Sequence, residues 1–195
     1  MSQSTEDRAP ANAQERIERA HHRVNPPARL VFTDPAHFIA FGFGSGLAPF
    51  APGTVGSAAA IPLFLLLSPL DWPYFLAAVL LLSALGIWVC SESSRRMGVH
   101  DHPGIVWDEV VGMLITLAPI AHGFWRDEIT GPIWLWIYAG FLTFRAIDVI
   151  KPPPIGWLDR NVHGGLGIML DDIAAGAASA LIITLLAMPE VLLGP

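Results

Sequence analysis

Trp72–Ser91 reads WPYFLAAVLLLSALGIWVCS, twenty consecutive positions without Asp, Glu, Lys or Arg. The hydrocarbon core of a bilayer takes about 20 apolar residues of helix, so this stretch by itself predicts a membrane span. The whole chain agrees with it. Of 195 residues, 53% are hydrophobic and 14% charged, against about 25% charged in a typical soluble domain. So few charges cannot clothe a water-soluble globule of this size. The net charge is −6, which leaves no basic face for phosphates, and no nucleic-acid partner is expected. The single cysteine, Cys90, permits neither an internal disulfide nor a cysteine-rich zinc site.

Further uncharged runs lie on both sides of this span: Ala36–Leu70, Val110–Trp125, Ile129–Phe144 and Ile173–Pro189. The run from Ile129 reaches spanning length if its helix continues to Ile150, and Asp172–Leu193 is long enough as well. Val110–Trp125 is short, and Pro119 predicts a bend near its far end. Within the first run, Gly53–Ser57 opens a helix through Ser68, with Thr54 as N-cap and Pro62 as a kink. His37–Phe50 is too short and too glycine-rich for a full span and reads as a half-helix or re-entrant piece tucked against protein. The expected fold is all-α, a polytopic membrane helical bundle of about five spans plus a short re-entrant or half helix. It occupies residues 35–195. Residues 1–34 interleave arginines with acids and are broken by prolines. They predict a polar, mostly disordered cytoplasmic tail with a short helix around Ala13–His22.

Tracing the spans back and forth places ten of the eleven Lys and Arg residues on one side, with Arg126 on the other. The positive-inside rule makes the crowded side cytoplasmic. The reactive side chains gather there too. Asp108 and Glu109 start the third helix, and Asp171 and Asp172 start the fifth. One acid at a helix N-terminus is accounted for by the helix dipole, at about 0.3–1 kcal/mol. Two acidic pairs at one membrane depth repel each other unless a cation neutralises them. Oxygen-only ligands suit Mg²⁺.

Arg145 and Asp148 share a helix face, and Lys151 continues it. They form either a charge pair tolerated near the membrane or a phosphate clamp beside one more metal carboxylate. Arg160, Asn161 and His163 follow the rigid Pro152-Pro153-Pro154 exit, which favours a fixed segment over a floppy linker. The glycines of Gly42–Gly56 serve either to present amides to a phosphate or to let helices pack closely, the commoner use in membranes. Cys90 through Arg96 has the Cys-x5-Arg spacing of thiol phosphatases. Here the cysteine ends a hydrophobic helix and Glu92 opposes an anion, so no catalytic thiol is assigned.

Three stretches together resemble the bacterial phosphatidylglycerophosphatase A family. They are GFGSGLAPFAPGTVGS (Gly42–Ser57), MGVHDHPGIVWDEVVGMLI (Met97–Ile115) and FRAIDVIKPPPIGWLDRNVHGGLGIMLDDIAAG (Phe144–Gly176). The resemblance covers about residues 37–187 and implies a Mg²⁺-dependent lipid phosphatase of the bacterial cytoplasmic (inner) membrane. Its substrate is expected to be phosphatidylglycerophosphate in the cytoplasmic leaflet, and its lipid product phosphatidylglycerol. Neither a Pro-Ser-Gly-His nor an Asp-x-Asp-x-Thr/Val signature is present, which leaves metal-assisted hydrolysis.

On this reading Asp108, Glu109, Asp148, Asp171 and Asp172 supply metal ligands. Arg145, Lys151 and Arg160 balance phosphate charge. Asp108, Asp171 and His163 are the catalytic set, with His163 or His102 protonating the leaving oxygen. Two other functions stay open at this point: a phosphatase for another lipid such as phosphatidic acid, and an ion-coupled transporter. A transporter favours acids near the midplane on broken, repeated helices.

Overall fold

The computed structural model describes residues 26–99, 102–124, 129 and 131–187. Every regular element among them is helical. In chain order these are α1 (Ala28–Thr33), α2 (Pro35–Ala40), a 3-10 turn (Gly42–Leu47), α3 (Pro52–Leu67) and α4 (Trp72–Met97). After them come α5 (Trp107–Phe124), α6 (Ile133–Ile150), α7 (Ile155–Asn161) and α8 (Gly164–Ala187).

Three helices among the described residues are long and apolar enough to cross a membrane: α4 with 26 residues, α6 with 18 and α8 with 24. α3 is apolar but has 16 residues. α5 has 18 and carries Asp108 and Glu109 in its first turn. Leu66, Leu80, Leu81, Trp134 and Leu181 are all exposed. Such a spread of bare apolar surface is stable against lipid and not against water. The chain is a membrane protein.

α5 and α8 form the central pair, with α3, α4 and α6 packed around them. Two glycines set how closely the central helices approach. A Cβ on Gly112 would lie 2.8 Å from the Asp172 carbonyl oxygen, and one on Gly176 would lie 2.5 Å from the Gly112 carbonyl oxygen. Backbone cannot yield to such a contact, so only glycine fits. The Thr116 hydroxyl donates to the Gly112 carbonyl at 2.9 Å and reaches the Gly176 carbonyl at 3.5 Å. Asp108 precedes Gly112 by one helical turn, and Asp172 precedes Gly176 by one turn. The glycine contact therefore sets the register that brings acids of two helices together.

Below it, Met113, Leu114, Leu117 and Ile120 of α5 pack with Phe64, Phe75, Phe144 and Ile183 from the four neighbouring helices. A second cluster joins Val31, Ala40 and Phe41 to Val89, Cys90, Trp107 and Met169.

Several local expectations are corrected. α3 begins at Pro52, and its N-cap is Ala51 in the left-handed region (φ 45), with no side-chain cap. Proline is suited to the first helical position because its missing N–H is not needed there, so Thr54 lies inside the helix. α8 begins at Gly164, which puts Asp171 and Asp172 about two turns inside it rather than at its start. The glycine-rich entry is helical because it is packed. A Cβ on Gly165 would lie 2.1 Å from the Ile87 carbonyl oxygen, and one on Gly167 would lie 2.2 Å from that of Val162. The segment between Lys151 and Gly164 contains the short helix α7.

The piece around 37–50 is short helical structure, α2 and the 3-10 turn. Gly46 in this piece and Gly56 in α3 serve packing: a Cβ on Gly46 would lie 2.0 Å from the Gly104 carbonyl oxygen, and one on Gly56 would lie 2.6 Å from Val106. Within the stretch read as a tail, Ala28–Thr33 form α1. Asp34 accepts from the Ala36 and His37 amides at 2.9 and 3.3 Å and pairs with Arg96. His37 Nδ1 and Ser93 Oγ are 2.7 Å apart, joining α2 to α4. The helix expected at Ala13–His22, together with His100, Asp101 and Arg126, lies outside the described residues.

Candidate active site

A cavity of about 170 Å³ opens where the start of α5, the end of α6 and the first half of α8 meet. Asp108, Glu109, Asp148, Asp171 and Asp172 all line it, so the five predicted carboxylates converge. Lys151 and Asp159 line it with them, and Pro103, Ile105, Val162 and Ile168 supply apolar walls.

At one part of this lining, Asp108, Glu109 and Asp172 each offer a carboxylate oxygen, all within 4.8 Å of one another. Asp172 is 3% exposed. Asp108 Oδ1 and Glu109 Oε2 are buried and have no hydrogen-bond partner among the described residues. A buried polar atom left unpaired costs about 1–3 kcal/mol, and more when charged. Three crowded carboxylates with two unpaired oxygens are what a bound cation would satisfy, and an all-oxygen donor set fits Mg²⁺.

Lys151 stands beside them. It caps α6 in the left-handed region (φ 46), which turns the chain sharply into the proline run. Its Nζ donates to Asp159 at 2.6 Å and to Asp171 at 2.5 Å. Burial pulls the lysine's pKa down, but hydrogen bonds to Asp159 and Asp171 outweigh it and hold it above the ordinary 10.5. Lys151 is thus a fixed cation at neutral pH, on the wall of an acidic cavity.

The other predicted residues are placed differently. Arg145 does not line the cavity. Its Nη1 donates to Asp148 at 2.6 Å and to the Ser57 hydroxyl at 3.4 Å. Arg160 and His163 are exposed, on α7 and just after it, and neither lines the cavity. His102 is buried, and its Nδ1 accepts from the Gly104 amide at 3.0 Å, a local turn contact. Cys90 is buried in the second core cluster.

Asp159 was not singled out from the sequence. It follows Lys151 by eight residues across a proline turn and α7, and no helical or strand period links the two. Gly53 and Ser57, which meet Glu109 and Arg145 from α3, were missed for the same reason: the contact joins distant segments.

The sequence profile described as Phosphatidylglycerophosphatase A matches residues 38–187, a span that includes every residue of this cavity. The chain belongs to this family. It is 47% identical to Phosphatidylglycerophosphatase A of Escherichia coli (strain K12), over 82% of this chain and 87% of that protein. It is 41% identical to Phosphatidylglycerophosphatase A of Haemophilus influenzae, over 82% of this chain and 93% of that protein. A candidate phosphatidylinositol-3-phosphatase of Bacteroides thetaiotaomicron is 37% identical, over 74% of this chain and 89% of that protein. No solved structure matches the chain. As a member of the phosphatidylglycerophosphatase A family, the protein is a phosphoric monoester hydrolase, which sets the transporter reading aside.

Proposed function

We propose that the protein hydrolyses the terminal phosphate monoester of phosphatidylglycerophosphate, with Mg²⁺, at the cytoplasmic face of a bacterial inner membrane. The observation that carries the chemistry is the Asp108–Glu109–Asp172 cluster with its two unpaired buried oxygens, set in a cavity that also holds Lys151. The E. coli and H. influenzae relatives support the substrate through their names. The crowding of basic residues on one side supports the orientation. α3 and α5 complete five spans beside α4, α6 and α8, leaving α2 and the 3-10 turn as the short piece.

Asp108, Glu109 and Asp172 would hold the ion, with Asp148 and Asp171 as further carboxylates in reach of the cavity. Mg²⁺, when bound, supplies Lewis-acid polarisation of the phosphoryl group. Lys151 faces the phosphate oxygens and offsets the charge that grows on them in the transition state. Asp171 and Asp159 hold its Nζ in place. A water oxygen joins phosphorus, the bond from phosphorus to the glycerol oxygen breaks, and that oxygen takes up a proton. Arg145 lies behind the carboxylates, and Arg160 and His163 lie outside the cavity. All three are left out of the chemical step.

The test is phosphate release by purified protein in detergent, from phosphatidylglycerophosphate, phosphatidic acid and phosphatidylinositol 3-phosphate in parallel, with Mg²⁺ or excess chelator. Mg²⁺-dependent release, fastest from phosphatidylglycerophosphate, is expected. Faster release from either other lipid would overturn the substrate, and equal release in chelator would overturn the metal.

A further inference from the structure

We propose that Gly53, on a helix that contributes no acid to the cavity, is a positioning residue that seats the Glu109 carboxylate. Gly53 lies in the first turn of α3, and its φ is outside the left-handed region. The backbone therefore does not call for glycine, which is a poorer helix former than alanine. What calls for it is space. A Cβ there would lie 2.2 Å from Glu109 Oε1, 3.2 Å from Glu109 Cδ and 3.4 Å from Arg145 Nη1. All three are atoms near the ends of flexible side chains. A methyl group would displace the carboxylate rather than the helix.

The surroundings show why that displacement matters. Oε1 rests against bare α3 backbone, while Oε2, the other oxygen of the same carboxylate, is buried and unpaired next to Asp108 and Asp172. One turn on, the Ser57 hydroxyl donates to the Gly53 carbonyl at 2.8 Å and accepts from Arg145 at 3.4 Å. Arg145 holds Asp148 at 2.6 Å. α3 is thus a stop at one side of the acidic cluster, bare where Glu109 lies and hydroxylated where Arg145 lies. This inference rests on the reading that Glu109 is a metal ligand. It adds that the ligand's place is set by an absent side chain on another helix.

The experiment compares wild type, Gly53→Ala, Glu109→Asp and the double variant, purified in detergent. Mn²⁺ affinity is read by electron paramagnetic resonance without any lipid, and folding by the thermal midpoint. Gly53→Ala is expected to melt within a few degrees of wild type and to bind Mn²⁺ at least tenfold more weakly. Aspartate is shorter by one methylene, so its carboxylate clears the new methyl. The double variant should therefore bind more tightly than Gly53→Ala, although Glu109→Asp by itself weakens binding. Wild-type affinity in Gly53→Ala, or losses in the double variant that simply add, would overturn the proposal. So would a Gly53→Ala protein that does not fold, since the methyl group would then have displaced the helix. Failure of wild type to bind Mn²⁺ would overturn it together with the metal assignment. Failure of wild type to hydrolyse phosphatidylglycerophosphate, with the binding pattern intact, would sink the substrate reading and leave this one standing.

Discussion

Replacing Asp172 with asparagine should make the cation-free protein more stable while stopping it from working. Asp108, Glu109 and Asp172 hold carboxylate oxygens within 4.8 Å of one another. At an effective dielectric of about 20, each such like-charge pair costs about 3.5 kcal/mol. Asp172→Asn removes two of the three pairs, at most about 7 kcal/mol on the same basis, because crowded buried acids relieve part of their repulsion by taking up protons. The amide that replaces the carboxylate is imperfectly partnered, which returns about 1–3 kcal/mol. A net gain of at most a few kcal/mol remains, and at roughly 2–4 °C per kcal/mol for a chain of this size the midpoint in chelator should rise by several degrees. Mg²⁺ should raise the wild-type midpoint and leave that of the variant unchanged, because a ligand stabilises only the state that binds it. Tryptophan fluorescence during heating in detergent reads both effects, and phosphate release should fall by at least about a hundredfold. An Asp172→Asn protein that melts at or below wild type in chelator, and still gains stability from Mg²⁺, would refute the reasoning.

Other outcomes follow from the same geometry. Lys151→Met should lower kcat/KM by about 10²–10³, the usual loss when one donor to a developing anion is removed, with little change in Mn²⁺ affinity; near-wild-type kcat/KM would move the phosphate contact elsewhere. Cys90→Ala should keep turnover within about threefold of wild type, since a buried core thiol is inert, and a larger loss would revive the thiol reading. Asp34 gives the pH dependence. Burial pushes its carboxyl up, but backbone hydrogen bonds from His37 and Ala36, with Arg96 beside it, outweigh that and hold it below the ordinary 3.8. Its folded value is depressed, so its stabilisation is present above 3.8 and is lost as the pH falls through the lower folded value. Hydrogen exchange of the α2 amides should accordingly be steady above about pH 4, once corrected for intrinsic rates, and accelerate below it. Asp34→Ala should show fast exchange at every pH, at a cost of about 0.5–2 kcal/mol for the lost cap; unchanged exchange in that variant would remove Asp34 as the anchor of α2.

The membrane character of the chain, its helical class and the identities of the clustered acids were legible in the sequence because each is a local property. Hydrophobic length marks Trp72–Ser91 as a span whatever its neighbours do, and an acid at the end of an apolar run is visible as a costly placement. Only the tertiary structure decided which of these residues meet. Asp108 and Asp172 meet because Gly112 and Gly176 let α5 and α8 touch backbone to backbone, a contact with no trace in either helix's own periodicity. Arg145 looked equivalent to Lys151 on the α6 face, yet it is turned toward Asp148 and Ser57 while Lys151 reaches the cavity. The sequence places Asp171 and Asp172 at the start of the last helix, whereas packing against α4 extends α8 back to Gly164. Span length and charge are sums along the chain and can be read one residue at a time. Register, close approach and the direction of a charged side chain depend on atoms supplied by other helices, so they exist only once the helices have packed.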